Sequence, residues 1–369
     1  MATSITTNNA ESISYKQKQA LVQAYAPQIR LHPSEKYFPA DIDFALAACE
    51  LRANDGSDAV IHDRITSQSL LMQTGSVPME STYVHIVDEA AIIGNPPSDI
   101  GGISIFAKIS TILYDDGTGK PPTEFWDILY NIFYMHNGST VPGSTTVGAH
   151  SWDNETVIVR ILPNYAPSAD MIETIFFSQH SGGGWFKPSK LQFVGDNGIG
   201  AREAGGRGAN NRSAEDTHVV AYAAKYSHAH YPAAATWPRM FGVATDYTSD
   251  GGIHWIPTTI LADLPSVTNP KATWTLYTGR FGQEGQRGVF QRGWITMNHK
   301  LMNVQSMDLV SKALKGKRVP LAIMFVTLPI SALVLAAVLY KIHIPSVIMG
   351  IVVWVLVMYG IRLYSHIDL

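Results

Sequence analysis

The hexad His150-Ser151-Trp152-Asp153-Asn154-Glu155 sets an imidazole beside two carboxylates, and Ser178-Gln179-His180 and Ser227-His228-Ala229-His230-Tyr231 add further imidazoles and hydroxyls. These side chains suit two kinds of chemistry. A carboxylate next to an imidazole fixes its tautomer and raises its basicity while a second acid protonates a substrate oxygen, so His150 with Asp153 and His180 with Glu155 form an opposed acid and base. His150, Asp153 and His180 are also suitable ligands for a divalent zinc, iron or manganese ion, although their spacing matches no compact zinc motif. The expected catalytic set is His150, Asp153, Glu155, His180 and His228, with Ser227, His230 and Tyr231 contacting substrate. Ser227 lacks the Gly-x-Ser-x-Gly elbow of a serine hydrolase. The alternative is structural: acidic residues at strand entrances fix turns, and histidines at strand ends are commonly satisfied core-edge residues.

Bringing these residues together requires a hairpin. The runs 156–161 and 172–177 are rich in β-branched and aromatic residues and flank a turn with two prolines, Pro163 and Pro167. An antiparallel pairing about that turn sets Asp153 and Glu155 level with Phe177, Gln179 and His180. The run 218–226 carries His228 to the same pole if it pairs antiparallel with 155–162. Paired antiparallel with the strand ending at His180, it leaves His228 a strand length away.

Other strand-like runs occupy 82–87, 103–113, 124–134 and 253–255, and a short helix near 15–25 is ended by Pro27. The expected fold is mainly β: an antiparallel β-sandwich domain followed by a C-terminal two-helix transmembrane hairpin. The expected organisation is a disordered N-terminus at 1–20, a β-rich domain at 21–300, a basic linker at 301–318 and the hairpin at 319–363. The glycine-dense stretch 195–211 is expected to be a mobile surface loop, and a loop at 285–293 closes the soluble part. No P-loop lysine and serine follow the glycines, which argues against a nucleotide cradle.

With 369 residues and a formal charge of −3, the chain has ample core material and lacks the basic face of a nucleic-acid binder. Its single cysteine, Cys49, excludes an intrachain disulfide and is expected to be a small buried residue. No cleaved signal peptide is visible at the N-terminus.

Residues 319–340 and 344–361 are almost wholly apolar. Each run is long enough as a helix to cross or nearly cross a hydrocarbon core of roughly 30 Å. Lys312, Lys315, Lys317 and Arg318 precede the first run and Arg362 follows the second. The positive-inside rule then turns both termini and the β-rich domain to the cytosol, at an internal membrane of the endoplasmic reticulum or vacuole. In that orientation the sequons at Asn137, Asn154 and Asn211 stay unmodified.

Several short motifs occur in register: Tyr25-Ala26-Pro27 with Leu31-His32-Pro33-x-Glu35-x-Tyr37-x-Pro39, Phe133-Tyr134 with Asn137-Gly138, His150-x-x-Asp153-x-Glu155, Ser178-Gln179-His180, Ser227-His228-Ala229-x-Tyr231, Asp246-x-Thr248-x-Asp250-Gly251-Gly252 and Gly279-Arg280-Phe281-Gly282. In this the chain resembles the vacuolar protein sorting-associated protein 62 family of fungi, with relatives in plants. It departs where the family's His-x-Gly-Asp-Trp-Glu reads His-Ser-Trp-Asp-Asn-Glu, and the apolar C-terminus lies outside the pattern. The resemblance implies a β-rich fold and an association with vacuolar sorting. Two functions are expected. The first is a membrane-anchored enzyme acting on a lipophilic small molecule by acid–base or metal-assisted chemistry, as in a tailoring step of fungal specialised metabolism. The second is a non-catalytic vacuolar sorting or trafficking factor that binds a protein partner through its loops. A lipid-binding module with an apolar cavity is a third. Membrane lipids are the expected partner of 319–361.

Overall fold

The computed structural model describes residues 5–9, 13–67, 69–70, 77–114, 121–139, 148–180, 182–194, 217–239, 244–262, 274, 277 and 279–282. All fall within one compact unit, Met1–Met307. The expected linker at 301–318, the membrane hairpin at 319–363 and the glycine-rich loops at 195–211 and 285–293 lie outside the described residues. Among the described residues, no helix is long and apolar enough to cross a membrane.

The chain opens with β1 (Ile5–Asn9), α1 (Tyr15–Ala24), β2 (Gln28–Arg30), α2 (Ile42–Ala47), β3 (Cys49–Ala53), β4 (Val60–His62) and β5 (Thr82–Ile86). The long strands follow: β6 (Ser104–Tyr114), β7 (Thr123–Asn137), β8 (His150–Ile161), β9 (Ile172–Gln179) and β10 (Gly182–Phe186). Short strands complete it: β11 (Val220–Ala223), β12 (His230–Tyr231), β13 (Thr236–Arg239), β14 (Ala244–Tyr247), β15 (His254–Trp255), β16 (Thr259–Ala262) and β17 (Arg280–Phe281).

The fold is organised by a seven-stranded sheet ordered β1-β6-β7-β8-β9-β10, with β16 parallel to β6. Alternation along β7 explains the layering. Ile128, Tyr130, Ile132 and Tyr134 pack in one core cluster with Leu21, Val22, Ile29 and Ala221, contributed by α1, β2 and β11. Leu129, Phe133 and Met135 pack in a second with Leu46, Leu51 and Val84, from α2, β3 and β5. Successive strand residues point to opposite faces, so the large sheet is buried on both. Its outer layers are a sheet ordered β12-β11-β2-β15 and another ordered β17-β5-β3-β4, with β13 and β14 as a separate ribbon. The mainly β character and sandwich-like sheets agree with the sequence reading. A central sheet covered on both faces goes beyond a two-layer sandwich, and among the described residues three pairings are parallel: β11 with β2, β16 with β6, and β17 with β5.

Within the N-terminus expected to be disordered, Ile5–Asn9 forms a strand, while α1 agrees with the short helix read near 15–25. β1 pairs antiparallel with β6 from Ile5↔Tyr114 to Asn9↔Ser110, so backbone hydrogen bonds order a polar segment that has little apolar surface to bury. α1 starts at Ser14, whose hydroxyl accepts from Gln17 N while Gln17 Oε1 accepts from Ser14 N, forming a capping box, and it buries Leu21 and Val22. α2 was not anticipated. It is capped by Asp41, whose side chain accepts from Asp43 N at 2.9 Å. Cys49 is buried as expected and donates through Sγ to Ala45 O.

Candidate functional site: two buried carboxylate hubs

The β8–β9 hairpin forms with Val157 opposite Phe177. Beyond that pair, Ser178 Oγ accepts from Thr156 N at 2.7 Å and donates to Glu155. Of the residues expected to lie level, Glu155 meets Ser178, whereas Phe177 is level with Val157 and His180 bonds Asp246, and His228 reaches Asp153 by neither of the two pairings considered. β11 belongs to a different sheet and runs parallel to β2, so His228 arrives from the layer stacked over the large sheet.

His228 is the centre of the first hub. Its Nδ1 donates to Asp153 Oδ2 at 3.1 Å and its Nε2 to the Tyr37 carbonyl at 3.0 Å, while Glu35 Oε1 lies 3.8 Å from Nε2. With a carboxylate and a carbonyl as its partners the ring meets an acceptor at each nitrogen, an arrangement that favours the imidazolium. Burial alone depresses its pKa, but the Asp153 hydrogen bond and the charges of Glu35, Asp153 and Glu155 outweigh it and hold the pKa above the ordinary 6.5. The ring stacks flat on Tyr134 with centroids 3.7 Å apart. Glu35 is itself pinned, accepting from the backbone N–H groups of Lys36, Tyr37 and Tyr226 at 2.7–2.9 Å. Exposure is 2% for Asp153, 1% for Glu155 and 0% for His228.

Asp246 is the centre of the second. This fully buried carboxylate accepts from His180 Nε2 at 2.6 Å, Ser227 Oγ at 2.8 Å and Tyr231 Oη at 2.6 Å. The expected pairing of His180 with Glu155 does not form, because Asp246 fills that role. Ser227 bonds the carboxylate rather than an imidazole, so it is not poised as a nucleophile. His180 is at the rim, its side chain 23% exposed, and the Asp246 bond fixes the Nε2–H tautomer when the ring is neutral. His230 is fully buried, and its carbonyl accepts from Gln179 Nε2 at 3.1 Å.

His150 is partly buried at the start of β8, with Nδ1 3.3 and 3.1 Å from the carbonyls of Ser151 and Trp152. His136, opposite Ser151 on β7, was missed by the sequence reading. Burial and the nearby His150 and His228 push its pKa down to about 4. Glu35, Tyr134 and Asp246 were legible as motif members but not as site residues. Among the described residues, no group of three or more His, Cys, Asp or Glu side chains is arranged to hold a metal ion. The candidates His150, Asp153 and His180 accordingly face different partners.

Backbone strain gathers here. Trp152, His180, Tyr226 and His228 have φ of 65°, 52°, 68° and 56°. Left-handed conformations of bulky residues are uncommon and persist where surrounding contacts enforce them. Trp152 occupies the glycine position of the His-x-Gly-Asp-Trp-Glu pattern and keeps a glycine-like backbone. Its indole packs against Phe133 and Phe281, with centroids 5.1 and 5.0 Å away. At Gly138 close approach demands glycine, since a Cβ would meet Tyr37 Cε2 at 2.8 Å and Tyr226 Cβ at 2.9 Å.

Comparisons with known proteins agree with the motif reading. A family model described as vacuolar protein sorting-associated protein 62 matches residues 5–243. A curated relative of the same name from Saccharomyces cerevisiae is 26% identical over 258 residues, covering 63% of this chain. The chain spans about half that relative's length, 50%. Among solved structures, one described as "NLPPya in complex with glucosamine" aligns at 14% identity over 75% of this chain and 92% of that one, with a TM-score of 0.32. Another, "Toxin fold for microbial attack and plant defense", aligns at 14% identity over 69% and 81%, with a TM-score of 0.30.

Proposed function

The chain belongs to the vacuolar protein sorting-associated protein 62 family, and from that premise we propose that it is a non-catalytic vacuolar sorting factor whose motif residues lock a recognition scaffold together. One observation carries this reading. Asp153, Glu155, His228 and Asp246 are at most 2% exposed, and each is engaged by another motif residue. Buried ion pairs contribute little net stability but fix one arrangement, because losing either partner strands a charge. His228 and Asp153 join the large sheet to the layer above it, and Asp246 ties the segments carrying His180, Ser227 and Tyr231. The loops at this pole are then held in fixed relation for binding a protein partner. The apolar runs 319–340 and 344–361 would anchor the scaffold to an internal membrane with the β-rich domain in the cytosol.

A second reading is favoured by one feature, the rim position of His180 on a buried carboxylate. An imidazole so oriented can act as a general base on a lipophilic substrate, a role worth about 10²–10⁴-fold in rate. The two readings divide on cells carrying His180→Asn as the sole copy. The sorting scaffold retains vacuolar cargo delivery, whereas the enzyme loses its product and the phenotype that depends on it. Deleting residues 319–363 should move the chain out of the membrane fraction and abolish delivery; persistence of both would refute the anchored scaffold.

A further inference from the structure

The face of the large sheet opposite the hubs carries a polar row with no evident purpose. Phe106 on β6, Asn131 on β7 and Thr156 on β8 are directly opposed across adjacent strands, so their side chains share one face. The residues two positions away along β7 and β8 on that face include Leu129, Phe133 and Ile158, all in the core shared with α2, β3 and β5. Asn131 is 2% exposed and Thr156 0%, yet Asn131 Nδ2, Asn131 Oδ1 and Thr156 Oγ1 have no hydrogen-bond partner among the described residues. The indole N–H groups of Trp274 and Trp152 in the same core are likewise without one. Trp274 stands edge-on to Phe106, with ring centroids 4.8 Å apart.

Folded proteins rarely leave buried amides unsatisfied, and a carboxamide whose two ends are both orphaned is a donor and acceptor held ready for something else. Four of the flanking side chains, Phe106, Leu129, Phe133 and Ile158, are apolar, which disfavours a charged guest, while Asn154 beside Thr156 and Lys108 opposite Leu129 are the polar ones. We propose that the Asn131–Thr156 row is a buried binding site for an uncharged amphipathic small molecule, whose hydroxyl and carbonyl head pairs with the amide and hydroxyl while its chain lies against Leu129, Phe133 and Ile158. Sites of this kind are mostly apolar with a few convergent polar groups. The claim is independent of the role assigned to the carboxylate hubs.

The test uses the purified full chain with 1-oleoylglycerol as the neutral probe and oleate as its charged counterpart, reading the thermal unfolding midpoint. The wild type is expected to gain stability with rising 1-oleoylglycerol and not with oleate. Asn131→Leu/Thr156→Val removes the polar groups while keeping volume, and should show no response to either probe. The single Thr156→Val, nearly isosteric, gives a weakened response and covers the case in which the double variant folds poorly. An equal rise in wild type and Thr156→Val, a rise with oleate, or no rise in the wild type would each overturn the proposal, the last leaving ordered water only.

Discussion

His228 Nδ1 lies 3.1 Å from Asp153 Oδ2, in a contact that bridges the central sheet and the layer packed over it. Neither residue is accessible, and each compensates the other's burial. Replacing His228 with Gln leaves Asp153 and Glu35 buried without their cation and should cost about 3–5 kcal/mol, as for other broken buried pairs. Urea denaturation of the two proteins measures it; a loss under about 1 kcal/mol, the range of a surface pair, would remove His228 from the core.

The same imidazolium sets a pH dependence. Its folded-state pKa is raised, so its contribution is complete below about pH 6.5 and fades as pH climbs through the higher folded value. His136 acts in the opposite sense. With a folded value of about 4, it opposes folding increasingly as pH falls from 6.5 towards 4, by up to about 3 kcal/mol at full burial. Unfolding midpoints against pH should fall on both sides of about pH 6.5. His136→Phe should flatten the acid limb alone; an unchanged acid limb would show that His136 titrates normally.

Asp246 receives three hydrogen bonds, from His180, Ser227 and Tyr231. Asn in its place keeps one acceptor and faces two hydroxyl donors and an imidazole with an amide, so Asp246→Asn should lose about 2–4 kcal/mol. Ser227→Ala removes a single donor and should cost about 1 kcal/mol. Equal losses would mean that Asp246 is not the hub.

Trp152 carries two opposing terms. Glycine there would relieve a left-handed strain of about 1–2 kcal/mol, while removing a buried indole costs about 3–5 kcal/mol. Trp152→Gly should therefore destabilise by about 2–3 kcal/mol on balance, measured by denaturant midpoint. A stabilised variant would mean that the strain exceeds the packing.

Much of this was legible in the residues. The strand runs bounded by glycine and proline became β5 to β9, the short helix read near 15–25 became α1, and the hairpin about Pro163 and Pro167 set Glu155 beside Ser178. Glu155 meets Ser178 because strand pairing fixes which residues lie near one another. What escaped depends on contacts distant in sequence. Asp246 reads as a turn residue until the fold sets it against His180. β11 gives no local sign that it runs parallel to β2, and Ile5–Asn9 is too polar to announce an edge strand. The near-continuous burial of β7 and β8 reflects covering layers on both faces, a relation that alternation within one strand does not reveal.

The most direct test of the sorting-scaffold account is vacuolar cargo delivery in cells whose only copy carries His180→Asn, with protein level and thermal midpoint matched to wild type. The account predicts delivery indistinguishable from wild type, because the asparagine amide can still donate to Asp246 and no proton transfer to a substrate is required. Loss of delivery equal to that of a gene deletion, in a variant that folds and accumulates normally, would contradict it and assign the chemistry to the His180–Asp246 pair.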